Sequence, residues 1–152
     1  MPDLAAHARR IIDAHVYMTL ATADSGGRPW ASPVWFAHED HRRFIWVSRP
    51  ERHHSRNLAE RSEAGIVIFD STPRRQGTPD AVYLEAVTEQ VAGADEEHCV
   101  EVFSRRSVAL GWPGLSVSDV RPPAALRVYR ATASALFVLD ENDDRIAVDL
   151  GD

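Results

Sequence analysis

Apolar residues recur at helical spacing over the first fifteen positions. Leu4, Ala8, Ile11, Ile12 and His15 share one face, which predicts an amphipathic helix over residues 3–15. The period then changes. VYMTLATA (16–23) is apolar and β-branched and stops at the turn cluster Asp24-Ser25-Gly26-Gly27. A second strand over 29–36 follows, so the two predict a hairpin. The polar stretch from His38 to Arg42 predicts another turn, leading into a third strand, RFIWVS (43–48). Three strands joined by short turns predict an antiparallel meander. Pro33 has no N–H to give a ladder, so it marks an edge, a bulge, or a place where something other than a strand lies alongside.

Ser48 and Glu51 have the spacing of a capping box around Pro50, which predicts a helix start there and a helix running to about Arg61. A fourth strand is predicted over 65–70, a Pro/Gly loop over 71–80 and a long fifth strand over 81–92. Asp95 is placed to cap a helix over 96–106, with Cys99, Val102, Phe103 and Arg106 on one face. Residues 107–124 carry two Gly and three Pro and are expected to be irregular. Strands over 126–131, 135–140 and 145–150, the last two joined by a turn at 140–144, bring the total to about seven. The fold class is therefore mainly β with peripheral helices. A small closed antiparallel barrel is the expected architecture, because closure removes free edges.

Residues 1–152 read as a single domain, long enough to bury roughly 68–70% of the unfolded surface without a staple. With 44% apolar and 26% charged residues the composition is globular. Cys99 is the only cysteine, which excludes an internal disulfide and any Cys-rich zinc module. The chain has no apolar run of membrane-spanning length and no secretory-signal pattern at its start, so a cytoplasmic location without membrane association is expected. A net charge of −6 argues against nucleic acid as partner. All 17 basic residues are arginine, as in a GC-rich coding preference. Every cationic role therefore falls to Arg or His, and Schiff-base chemistry on lysine is excluded.

The stretch WVSRPERHHSRN (46–57) is the leading candidate site. A strand ends there at a helix N-terminus, where free N–H groups favour an anion, and Arg49, Arg52, His53, His54 and Arg56 crowd the first two turns. Two readings fit. One is a phosphate site held by charge-assisted bonds. The other is a solvated basic face whose arginines pair with Glu51 or Glu60. The pairs His38/His41 and His53/His54 match no metal motif and have no carboxylate at ligand spacing, so they read as surface turn histidines and no metal is expected. Cys99, on an apolar face, reads as buried and inert. Ser32 and Ser48 lack a nucleophile-elbow context, and no catalytic residue can be named. Trp35 and Trp46 lie on neighbouring predicted strands near the candidate site, where a planar ring could pack.

GRPWASPVWF (27–36), a strand ending IWVS (45–48), RHHSRNL (52–58) and IVIFD (66–70) together resemble the FMN-binding split-barrel proteins related to pyridoxamine 5′-phosphate oxidase. The resemblance extends over residues 4–150. It implies an antiparallel split β-barrel of Greek-key type and a homodimer with two FMN sites at the subunit interface. The flavin ring would lie along Ser32, Pro33, Val34 and Trp35 and along Trp46, Val47 and Ser48. The phosphate would be held by Arg52, His53, His54, Arg56 and Asn57 at the start of the short helix. His54 stands where the family often has lysine. Trp112, in the loop Gly111-Trp-Pro-Gly114, is a candidate to reach the other chain's site. The implied activity is a flavin-dependent oxidoreductase acting on a small molecule. The alternatives are a deazaflavin-dependent reductase with a deazaflavin coenzyme, and a flavin carrier without turnover. The sequence ends at RIAVDLGD, without the Arg- and Trp-containing C-terminal segment of the true pyridoxamine phosphate oxidases, so vitamin B6 oxidation is not expected.

Overall fold

The computed structural model describes residues 3–72 and 79–151. The first helix, α1 (Leu4–Ala14), begins where Asp3 accepts the Ala6 N–H at 3.0 Å, and it buries Ala8, Ile11 and Ile12 as its spacing predicts. The strands β1 (Tyr17–Ala23) and β2 (Pro29–Trp35) form the expected hairpin. β3 (Ala37–Glu39) and β4 (Arg43–Ser48) form a second one. Then come α2 (His53–Glu60), β5 (Glu63–Phe69), β6 (Ala81–Gln90), α3 (Ala94–Ala109), β7 (Arg127–Leu139) and β8 (Arg145–Ala147). Most of the predicted 71–80 loop lies outside the described residues.

All strands belong to one antiparallel sheet in the order β2-β1-β5-β6-β7-β4-β3, with β8 on the far half of β7. The first three strands are therefore not a meander. β4 leaves β2 and pairs with β7 along Arg43–Ser48, while β2 pairs only with β1. The two ends of the sheet, β2 and β3, do not pair, so the barrel is split rather than closed. Pro33 lies on the end strand β2, one of the places where a missing N–H costs no ladder bond.

Three further boundaries differ from the sequence reading, each for a local reason. The two predicted strands 126–131 and 135–140 are one strand, β7, with a bulge. Ala86 faces Ala133 and Glu85 faces Ala135, leaving Ser134 as the extra residue, its hydroxyl donating to the Glu85 carbonyl at 3.2 Å. The Ser48/Glu51 capping box does not form. Arg49 to Arg52 make a turn, and α2 starts at His53 with Arg52 as an N-cap that offers no side-chain bond. Gly93, not Asp95, caps α3.

The side chains of β4 are buried on both faces. Phe44 and Trp46 point into the barrel core with Ile12, Met18, Leu20, Ile66, Ile68 and Val82. Ile45 points the other way, into a second cluster with Cys99, Val100, Phe103 and Val128 beneath α3. Cys99 is fully buried, as expected from its helical face. Its thiol pKa is raised by that burial, against the nearby Arg130 charge, and a raised pKa keeps it protonated and inert.

Candidate functional site

The split between β2 and the end of β4 is where the site residues gather. α2 lies across it. His54, 8% exposed, sits between the two strands, with Nδ1 3.3 Å from the Ser32 hydroxyl on β2 and Nε2 3.1 Å from the Ser48 hydroxyl on β4. In a neutral imidazole one nitrogen donates and the other accepts, and a serine hydroxyl can meet either. The ring thus bridges two sheet segments that share no ladder. Burial, together with the neighbouring Arg52 and His53, holds the His54 pKa below the usual imidazole value. It is therefore the uncharged ring that fits the gap.

Asn57, one helical turn on, is also buried. Its amide donates to the Thr22 hydroxyl at 3.0 Å, and that hydroxyl reaches the Trp30 carbonyl at 3.5 Å. Of the sequence candidates, then, Ser32, Ser48, His54 and Asn57 are brought together as the fastening of α2 to β1, β2 and β4. His53 faces outward and stacks on Trp30, with ring centroids 4.2 Å apart and planes within 7°.

The arginines differ from the buried pair. Arg49, Arg52 and Arg56 are exposed, and among the described residues none of their side chains makes a hydrogen bond or ion pair. Glu60 instead accepts the Ser25 N–H. The expected alternative of arginines paired with Glu51 or Glu60 is therefore not what the structure shows. The first turn of α2 carries no acidic residue and no side-chain cap. Its leading N–H groups and three free guanidinium groups make a local positive field on a chain of net charge −6.

The aromatic candidates separate. Trp46 has no exposed surface. Its indole stacks on Tyr129 at 5.7 Å inside the core, so it cannot serve as a platform for a bound ring, and only its backbone borders the split. Val34 is buried in the same core, Pro33 is exposed, and Val47 packs against the α3 cluster. Trp35 is half-buried, edge-on to Phe103 at 5.1 Å. Trp112 is 64% exposed, 6.3 Å from the Trp35 ring. With Tyr17, Pro113 and Leu115 these rings line an apolar pocket of about 280 Å³. Tyr17, which the sequence reading did not single out, lines this pocket because the alternation of β1 turns it to the face opposite buried Met18.

A family model described as pyridoxamine 5′-phosphate oxidase matches residues 4–139. The chain belongs to this family. No protein of curated function matches it by sequence. Among solved structures, the heme binding protein from Mycobacterium smegmatis superposes with a TM-score of 0.78 at 20% identity over 99% of this chain, which spans 59% of that protein. HutZ, the heme storage protein from Vibrio cholerae, gives 0.66 at 20% identity, with 88% and 92% of the two chains covered. A Clostridium acetobutylicum protein related to general stress protein 26, described as of the pyridoxinephosphate oxidase family, gives 0.70 at 11% identity over 95% and 93%. At these identities the likeness is one of fold, and it establishes the split barrel. Among the described residues no helix is long and apolar enough to cross a membrane.

The buried histidine has a measurable consequence. The unfolded chain regains the ordinary imidazole pKa of ~6.5, while in the folded chain His54 protonates only at lower pH. Below about pH 6.5 the unfolded state therefore binds more protons, and stability falls as the pH drops through that value. The His38 pKa, also lowered by burial, adds to the same slope. In urea unfolding between pH 7 and pH 5, His54→Gln is expected to show a shallower decline than the unsubstituted chain. Parallel declines would mean that His54 is as free to protonate when folded as when unfolded.

Proposed function

We propose that this chain binds flavin mononucleotide in the split beside α2 and acts, as a homodimer, as a flavin-dependent oxidoreductase on a small molecule. The observation that carries the reading is the start of α2, where an uncapped helix end and three unpaired arginines are left facing solvent. Such a field suits a phosphate monoester, and Arg52 and Arg56 are the residues that would hold it. His54 takes a different part from that of a phosphate-binding lysine. As a neutral ring already engaged by Ser32 and Ser48, it fixes the angle at which α2 meets the sheet. The bound flavin supplies the redox chemistry, and the protein supplies binding and orientation.

Membership of the pyridoxamine 5′-phosphate oxidase family supports the cofactor class. The outer sheet face supports the dimer. Tyr17 lies beside Trp35, Pro33 and Val67 flank Thr19, and Val67 lies beside Tyr83, which makes a largely apolar surface with Tyr17, Ala31, Pro33 and Phe69 exposed on it. A second copy covering this face would remove it from water.

A second reading is heme carriage. Two structural neighbours are described as heme proteins, and the same arginines suit propionate groups as well as a phosphate. One experiment separates the readings. Sedimentation velocity, read in both protein and ligand absorption bands, is run with FMN, riboflavin or hemin. FMN should travel with a species of about twice the 16.9 kDa chain mass, and riboflavin, lacking the phosphate, should bind at least about tenfold more weakly. Equal binding of the two flavins removes the phosphate site, ligand on a monomer removes the interface, and tight binding of hemin alone establishes the carrier.

A further inference from the structure

We propose that Asp13, His38 and His41 form a binding site for a divalent ion of the zinc class, distant in role from the flavin split. The three residues come from different segments: the last turn of α1, strand β3, and the turn between β3 and β4. Both imidazole Nε2 atoms converge on the same carboxylate oxygen, Asp13 Oδ1, at 2.7 Å from His38 and 2.9 Å from His41. All three ligand atoms lie within 4.8 Å of one another. In a tetrahedral site with ligand bonds of about 2.0–2.2 Å, donor atoms sit ~3.3–3.6 Å apart. The set therefore needs only side-chain adjustment to accept an ion between its members. Two imidazoles and one carboxylate make the N₂O donor set of a borderline metal, and they leave a further position for water.

The backbone supports the assignment independently. Asp40 and His41 have φ of 53° and 55°, and the Arg42 N–H bonds the Glu39 carbonyl at 3.0 Å. This is a turn with both central residues left-handed, where Asn-Gly or Asp-Gly is the usual pair. Here histidine occupies the position that glycine would fill without strain, and its ring folds back onto Asp13. Access is open, because Asp13 is 55% exposed at its side chain while the histidines are 19–21% exposed.

The neighbouring charges are otherwise engaged. Arg106 donates to the backbone carbonyls of Asp13 and His15 rather than to the carboxylate. Glu39 holds His98, and Asp40 holds Arg43. His38 Nδ1 accepts the His41 N–H at 3.2 Å, so the ring carries its proton on Nε2, which faces Asp13 Oδ1 at 2.7 Å. Metal ligation at Nε2 moves that proton to Nδ1 and gives up the bond from His41, whose amide lies in an exposed turn. That relocation is a signature which a merely hydrogen-bonded cluster does not produce.

The test uses the tag-free full-length chain after chelator treatment. Titration with Co²⁺ should produce a visible d–d band that saturates at one equivalent and is bleached by Zn²⁺. Imidazole ¹⁵N shifts should show the His38 proton leaving Nε2 for Nδ1 as zinc binds. Asp13→Asn keeps an acceptor oxygen for both histidines but removes the anionic ligand, and it should weaken binding at least about tenfold. His41→Gln should do the same, and His98→Ala, outside the set, should leave binding unchanged. Should His41→Gln fail to fold, Asp13→Asn decides alone. Absence of saturable binding, binding that survives Asp13→Asn, or a bound ion with no shift at His38 overturns the site.

Discussion

Replacing Arg49, Arg52 and Arg56 together by glutamine is expected to weaken FMN binding by about two orders of magnitude and to leave riboflavin binding unchanged. Each charge-assisted bond to a phosphate contributes about 1.5–3 kcal/mol. Exposure and salt screening reduce that figure for groups at the surface. Two such bonds lost at the lower end give about 3 kcal/mol, or ~100-fold, at 1.4 kcal/mol per decade. The helix N–H groups remain, so binding is reduced rather than abolished. The substitution carries its own control. None of the three side chains has a partner to lose among the described residues, so the unfolding midpoint should hardly move. Calorimetric titration of both flavins reads the result. An equal loss for FMN and riboflavin, or no loss for either, would place the anion elsewhere.

Trp46→Ala should cost about 3–5 kcal/mol of stability, the range for emptying a large aromatic site in a core. The indole is wholly buried in the barrel core and stacked on Tyr129. For a chain of this size that loss lowers the thermal midpoint by roughly ten degrees or more. Trp46→Phe should cost far less. The Trp46 Nε1–H is buried without a partner, and removing it relieves a desolvation penalty that offsets part of the lost volume. Denaturant unfolding of both variants checks this. A Trp46→Ala loss under about 1 kcal/mol would show that the ring is not the packing element described.

The sequence pattern makes most elements legible because their information is local. α1 declares itself through Leu4, Ala8, Ile11 and Ile12, and the first hairpin through Asp24 to Gly27. What is not local is not legible. Nothing in RFIWVS says that β4 leaves its sequence neighbour β2 for a strand about eighty residues away, since its apolar run 44–47 serves either pairing. The Thr-Ala-Ser break in β7 looks like a strand end because an unpaired bulge residue and a turn residue obey the same preference. At the site, the basic stretch 49–56 is recognisable by composition, and its arginines are indeed free. That His54 is buried and bridging depends on two serines sixteen residues apart meeting across the split. Asp13 is likewise invisible to a search for ligand spacing, because a helix end twenty-five residues before His38 supplies it.

Strand ladders pair β2 with β1 and β4 with β7, while α2 is fastened to β1, β2 and β4 through three hydroxyls, one amide and one imidazole, and to the barrel core through Leu58. Arg49, Arg52 and Arg56 are exposed on the outer side of that segment. Their identity can therefore change without disturbing the barrel, whereas His54, Ser55, Asn57 and Leu58 are held by burial on the inner side. An architecture arranged this way lets the exposed charges beside the split vary over evolutionary time while the scaffold is kept. Proteins described as heme binding, as heme storage and as of the pyridoxinephosphate oxidase family share its fold at 20%, 20% and 11% identity.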